Sequence, residues 1–526
     1  MATPTLQQFE QEIGARMARS DFAGAAALAA TCRTAFPKHS SGWLLGSFAA
    51  LCNSQAESAL ALIEACLARA PNEVQFLLQQ AECLSALGRR SQAVAVAAKI
   101  GRNEKASAAE LDAAGQFLVN VRAYPEALLV YDRALALEPQ KLSFWAQRSV
   151  LHRLLGQFDL AARDYESVLA FAPLQPDALK GLIDLETQSP RHNQLAKLDV
   201  ALAGAPPGSI DACVLNFALA KTHDDLGNYA ASWQHLVDAN RLERARSDYR
   251  PESDREVVEE IIAAYPDIQA EHADLTGERP IFVLGLPRTG TTLVERILDS
   301  HSLVSSAGEL SALSRAIGNA INRTPQGRAN TWREYAARLN QLDSNTIARG
   351  YLELARPYRG DRPIFLDKQP TNFYYCPLIL RAFPNAKIVH VTRHPLAACY
   401  AIFKIRFDAG FPFAYDLDEL GEFYVGYRRL MEHWRRVLPG RIVEIAYEDL
   451  VTAQEPTTRR LLQDLALPFE RSCLDFHLNA APMTNTASAR QARQPLYNSS
   501  LDQWRHYADQ LAPLRARLQN AGIRID

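Results

Sequence analysis

The chain has 526 residues, 48% apolar and 22% charged, enough for more than one packed core and unlike the composition of a disordered chain. Its 57 Lys and Arg against 59 Asp and Glu leave a net charge of −2, so no overall field recommends nucleic acid as a partner, and any anion site has to be local. No run approaches the ~20 apolar residues of a membrane-spanning helix and no basic-then-apolar leader is evident, so the expectation is a cytoplasmic protein with no membrane span. The eight cysteines are scattered without a C-x-x-C pair, and the histidines lack metal-ligating spacings; buried free thiols and no metal are expected.

In chain order, the first feature is a repeat. Ala25, Ala59, Ala93, Ala127 and Ala161 are spaced by 34 residues, and Pro37, Pro71, Pro139 and Pro173 fall on the same lattice, with Lys105 at the missing position. Phe22, Tyr124 and Phe158 share one phase; so do Tyr131 and Tyr165, Trp43 and Trp145, and Gly88 and Gly156. This is the period of tetratricopeptide helix-turn-helix units. Small alanines let two helices approach closely, aromatics fill the groove between them, and the proline stops the second helix. Such units stack into a superhelix whose concave face suits an extended segment or a protein partner, although a purely structural prefix has the same sequence pattern.

After Pro173 the lattice weakens. Asp211 to Asn240 reads as one more unit, whereas Gln188 to Ser209, with Ser189-Pro190 and Ala205-Pro206-Pro207-Gly208, reads as an irregular connector. Arg244 to Ala273 is charged and helical in pattern. The expected organisation is therefore a repeat domain over 1–245, a helical bridge over 246–275, and a second domain over 276–526.

That domain opens with Ile281 to Leu284, an apolar run with the character of a buried parallel strand. It breaks at Gly285, turns through Leu-Pro-Arg-Thr-Gly, and restarts as an amphipathic helix from Thr291. The layout aims backbone N–H groups and a helix N-terminus at one point, a ready anion site. The glycine spacing is that of a Walker A loop, but Thr291 stands where the phosphate-gripping lysine belongs, and a cation sits inside the loop at Arg288. Further strands are expected over Pro363–Leu366, Ala386–Val391 and Arg441–Ile445, with helical patterns between them. The alternation implies an α/β fold with a mostly parallel sheet and ligands at the carboxyl ends of its strands.

The loop Gly285-Leu-Pro-Arg-Thr-Gly-Thr-Thr-Leu293, followed by Asp299-Ser300-His301 and Gly308-Glu309, resembles the 5′-phosphosulfate loop of sulfotransferases. It is most similar to the branch of protein-tyrosine sulfotransferases and tetratricopeptide-bearing bacterial sulfotransferases. The resemblance covers roughly residues 279 to 506. It implies 3′-phosphoadenosine 5′-phosphosulfate (PAPS) as co-substrate and an acceptor hydroxyl, a polypeptide tyrosine in that branch. A carbohydrate or small-molecule hydroxyl stays open, as does a repeat scaffold that only binds nucleotide.

The resemblance assigns roles residue by residue. Arg288 and Lys368 would stabilise charge on the departing phosphate oxygen, and Glu309 would be the general base. Thr289, Gly290, Thr291 and Thr292 would hold the 5′-phosphate. Arg393, after the strand ending at Thr392, would grip the 3′-phosphate. The family serine eight residues on is Ala401 here, and an expected aspartate is Ala397. Lys404, Arg490 and Arg493 are candidates to compensate, the last two in a segment resembling a cofactor lid, with Ser488 just before it and Tyr447 beside the nucleotide. Residue chemistry alone leaves Lys368 readable as a solvated lysine, Glu309 as the first acid of a helix over 309–319, and Phe411–Tyr415 as either an acceptor pocket or a hydrophobic anchor.

Overall fold

The computed structural model describes residues 4–53, 55–267, 277–327, 329–407, 410–479, 493–496 and 498–525. The chain divides into two compact units, Met1–Ser167 and Val168–Asp526.

The first unit is built from antiparallel helix pairs: Leu6–Ala18 with Phe22–Ala35, Ser41–Cys52 with Ala56–Leu67, Val74–Ala86 with Arg90–Arg102, and Ala108–Asn120 with Tyr124–Leu137. Ala25, Ala59, Ala93, Ala127 and Ala161 are all fully buried, as the 34-residue period requires. Tyr131 is fully buried too, and a side chain at Gly115 would come within 2.6 Å of its ring, so small and large residues interlock between paired helices. Ser107 and Glu110 close a reciprocal capping box at the start of the helix Ala108–Asn120. Seven of the eight cysteines are buried; Cys52 is exposed, because it ends its helix facing solvent.

The second unit starts with more helices. Ile210–Asp225 and Tyr229–Arg244 form the pair expected around 211–240. The segment taken as an irregular connector contains a helix, Leu195–Gly204, whose Leu198 and Ala201 pack against Leu215 and Leu219. Pro190 and the Pro206-Pro207 pair lie outside that helix, so they bound it and do not forbid it. The helix Pro251–Ala264 follows.

The sheet has five parallel strands: β1 (Ile281–Gly285), β2 (Val304–Ser306), β3 (Ile364–Lys368), β4 (Lys387–Thr392) and β5 (Ile442–Ala446), in the order β2-β3-β1-β4-β5. β1 is central and buried along its whole length, which explains its unbroken apolar run. Its alternate residues feed two cores. Ile281 and Val283 pack with Leu366, Val389 and the helix Thr291–Asp299. Phe282 and Leu284 share a core with Ile388 and the helix Leu417–Val437. β2, three residues at the sheet edge, is absent from the sequence expectation because so short a run carries no periodicity.

The last helix pair belongs to that second core. Cys213, Phe217, Leu236 and Ala239 are buried with the sheet residues, and Asn240 donates to the Phe403 carbonyl at 3.0 Å. Arg244 holds Glu419 through two bonds of 2.7 and 2.8 Å, and Arg406 pairs with Glu243 at 3.0 Å. The helix-pair pattern thus runs to Arg244, while the packing changes at Ser167.

Candidate functional site

The loop after β1 is wound tightly for a steric reason. Gly285 (φ 149) and Gly290 (φ 102) take backbone conformations that side chains disfavour, and a Cβ at Gly290 would lie 2.5 Å from the Tyr447 ring. Arg288 is also left-handed, with φ 65. Thr289 turns inward and donates to the Leu286 carbonyl at 2.7 Å, which fixes the curve. Thr291 and Thr292 open the following helix and are buried. The loop therefore sits at the N-terminus of a nine-residue helix, where an anion is favoured.

Two neighbouring strands bring the other candidates to the same edge. The Ala307 N–H donates to Leu366 and the Lys368 N–H to Gly308, so pairing beside β3 continues past β2 and sets Glu309 next to Lys368. Lys368 is fully buried and forms an ion pair with Glu309 and a second, at 3.4 Å, with Glu295. The reading of Lys368 as a solvated lysine fails on that burial. Glu309 lies before the helix Ala312–Asn322 and not within its first turn, so it is no helix-start acid.

Glu295, on the helix after the loop, escaped the sequence reading. It lies in a helix that buries every residue from Thr291 to Leu298, which no local sequence pattern announces. Ser306 donates to it at 2.6 Å. Burial pushes the Glu295 carboxyl above its ordinary value, against the pull of Lys368 and Ser306. Burial also works against the charge of Lys368, but Glu295 and Glu309 more than offset it and hold the ammonium above the usual lysine value.

On the other side of the loop an open cleft is lined by Arg288, Gly290, Thr292, Arg393, Lys404 and Tyr447, among others. Arg393 donates to the Arg288 carbonyl at 2.9 Å and the Ser500 carbonyl at 2.6 Å, with its guanidinium 4.8 Å from the centre of the Tyr447 ring. The Tyr447 hydroxyl meets Ser500 Oγ at 2.8 Å. Ala397 and Ala401 line this cleft, and Lys404, past the end of their helix, reaches Gln503 at 2.9 Å. Burial pushes Lys404 down to about 8; Asp224 resists this, and Arg288 and Arg393 add to it.

The remaining candidates are not all brought together. Arg493 is half-buried, and burial lowers its guanidinium from the ordinary arginine value. Ser488 and Arg490 lie outside the described residues. Asp367 accepts from the Tyr351 hydroxyl at 2.9 Å in the interior, a structural contact. His301 is buried against the Pro468 carbonyl, and His394 caps the helix Pro395–Phe403 and stacks on Trp504. Phe411–Tyr415 is an anchor: Phe413 stacks on Phe423 at 3.5 Å, and Phe413, Ala414 and Tyr415 are buried. Among the described residues no cluster of His, Cys, Asp or Glu is placed to hold a metal, and no helix is long and apolar enough to cross a membrane.

An anion cradle at the carboxyl end of a central parallel strand, flanked by a buried cation and a carboxylate, defines an α/β domain suited to group transfer. Residues 280–471 match the profile of the sulfotransferase family. An uncharacterized protein of Aquifex aeolicus is 29% identical over 473 residues, covering 87% of this chain and 61% of its own length. The chain thus spans about three fifths of that relative. A putative protein-tyrosine sulfotransferase of Caenorhabditis briggsae is 24% identical over 234 residues, 43% of this chain and 81% of the relative. The sulfotransferase domain of the Synechococcus PCC 7002 olefin synthase is 23% identical with a TM-score of 0.31, covering 45% of this chain and 91% of that one.

Proposed function

We propose that the protein moves a sulfuryl group from PAPS to an acceptor hydroxyl, and that the acceptor is a tyrosine of a protein or peptide. The observation that carries this reading is the pairing of buried Lys368 with Glu309 beside the loop that presents Arg288. In the transfer, the bond between sulfur and the bridging phosphate oxygen breaks and a bond from sulfur to the acceptor oxygen forms. Charge builds on the leaving phosphate, where Lys368 and Arg288 supply fixed positive charge in a site of low dielectric. A phenol is protonated at neutral pH, so its proton needs a base, and Glu309 is the carboxylate at the exposed side of the ion pair. Thr289 to Thr292 hold the 5′-phosphate and Arg393 the 3′-phosphate. The tyrosine acceptor is favoured by a carboxylate base and by the named relative, and the repeat helices are proposed to bind the acceptor chain or a partner protein.

The test is transfer of labelled sulfate from PAPS to a panel of acidic tyrosine peptides, glycans and phenols, with product expected on the tyrosine peptides, more slowly on simple phenols as their side-chain analogues, and none on the glycans. Product on glycans alone would replace the acceptor class; no product anywhere, with no PAPS-induced rise in melting temperature, would remove the reading. Arg393→Ala should weaken binding of 3′-phosphoadenosine 5′-phosphate (PAP) by about 1.5–3 kcal/mol, measured by calorimetry, the scale of a charge-assisted hydrogen bond.

A further inference from the structure

The turn Gln503–Tyr507 has two working faces. Gln503 and Trp504 line the nucleotide cleft. His506 and Tyr507 face the opposite way, onto the helix pair Ile210–Asp225 and Tyr229–Arg244. His506 stacks on Tyr229 with ring centres 4.1 Å apart and planes 9° from parallel. Tyr507 is fully buried; its hydroxyl donates to Asp224 at 2.6 Å and lies 2.9 Å from the Ser232 hydroxyl, and its ring lies against Trp233. The same ring stacks on Tyr400 at 4.8 Å, and Lys404 Nζ lies 5.1 Å from the centre of the Tyr400 ring while bonding Gln503.

We propose that this helix pair, which the sequence groups with the repeats, is part of the nucleotide site: Asp224 and Tyr229 position the turn Gln503–Tyr507, and through it Lys404, which meets the 3′-phosphate in place of the serine missing at Ala401. The inference rests on the PAPS reading of the cleft. Physically, Lys404 needs such support. It shares the cleft with Arg288 and Arg393, two like charges, and a further lysine, Lys221, adds to the repulsion; Asp224 is the acidic group acting on it from the helix pair, and Tyr400 and Gln503 are its near neighbours. A dianionic phosphate delivered there relieves the repulsion. Ala397 and Ala401, too small to reach the ligand with a polar group, leave that space to it. Lys404, Gln503, Tyr507 and Asp224 thus give occupancy of the 3′-phosphate site a direct line to the last repeat-like helices. Asp224 and Tyr229 are positioning residues, because neither lines the cleft.

The test compares PAP with adenosine 5′-phosphate, which lacks only the 3′-phosphate, binding to the full chain by calorimetry between pH 7 and 9. For the native protein PAP should bind at least about tenfold more tightly at pH 7. That advantage should shrink as pH rises through about 8, since the free protein loses the Lys404 proton there and only the charged form holds the phosphate. Asp224→Asn should cut the PAP advantage several-fold, leave adenosine 5′-phosphate unchanged, and move the loss with pH to lower values, because an attractive charge near Lys404 is gone. Asp224→Glu should restore it. In a Lys404→Met background Asp224→Asn should have no further effect on PAP. Tyr507→Phe, which keeps the ring stack and removes only the hydroxyl bonds, repeats the test with less risk to folding. Equal losses for both nucleotides, or an Asp224 effect that persists without Lys404, would overturn the proposal. A native protein that does not distinguish the two nucleotides would instead overturn the PAPS reading beneath it.

Discussion

Lys368 carries two carboxylates and one positive charge in a buried place, and that imbalance shapes what each residue does. If Glu309 accepts the acceptor proton, its hold on Lys368 weakens during transfer, while Glu295 keeps the ammonium charged and in position. Glu309→Gln should therefore lower turnover by about 10²–10⁴-fold with little change in nucleotide affinity. The same variant should recover part of its rate with acidic phenols that arrive already ionised, whereas Lys368→Ala should stay slow across the series, since its defect lies at the leaving phosphate. A uniform deficit of Glu309→Gln over phenols of graded pKa would mean that Glu309 orients the acceptor and the base lies elsewhere. Glu295→Gln removes one of the two carboxylates that hold the Lys368 ammonium, so turnover should fall and, as with Lys368→Ala, stay low with phenols that arrive already ionised. Recovery with the ionised phenols would show that Glu295 does not act through Lys368. Glu309 and Lys368 were legible as candidates because each falls in a family-like motif, Gly308-Glu309 after the loop helix and Asp367-Lys368 at the end of a strand. Glu295 was not, because a buried charge on an amphipathic helix gives no local sequence signal; only the folded ladder brings Ser306 and Lys368 to it.

At the scale of elements, the strand-loop-helix cradle was readable from Gly285 to Thr292 because glycine at defined places has a steric cause. The cause at Gly290 is visible only in the fold: Tyr447, from the helix after β5, fills the place of its missing Cβ. Gly290→Ala should lower the melting temperature, with a cost of about 1–3 kcal/mol for the backbone strain alone, and should shrink the PAP-induced rise. Adding Tyr447→Ala should recover the part due to the clash and none of the part due to φ, as differential scanning fluorimetry on both variants would separate. Full recovery, or none, would show that one of these two terms is missing. β2 and the helix Leu195–Gly204 show where pattern reading stops. The first is too short for a period, and the second sits between proline-containing stretches that read as loop. Its identity as a helix is settled by tertiary packing onto Leu215 and Leu219, a term that no local window contains.

For the whole molecule, the 34-residue period marks how the helices are made and does not by itself say which core they join. The pair Ile210–Asp225 and Tyr229–Arg244 keeps the repeat pattern yet packs into the core that also holds Phe282 and Ile388. Fragments divide these two ideas. One beginning at Gln175 retains every helix that shares this core and should be monomeric, cooperative in unfolding and stabilised by PAP. One beginning at Gly277 loses Phe217 and Leu236, worth about 1.5–3 kcal/mol each as buried side chains. It also loses the Arg244–Glu419 pair and the cover over Phe403, Tyr400 and Tyr507. Two such side chains alone remove about 3–6 kcal/mol from a domain whose total stability is about 5–15 kcal/mol, so this fragment should aggregate or melt well below the longer one. Size-exclusion chromatography and thermal melts of both fragments decide the matter. Equal melting temperatures would place the helix pair outside the folding unit of the sheet and would leave the end of the last helix pair, at Arg244, as the true division of the chain.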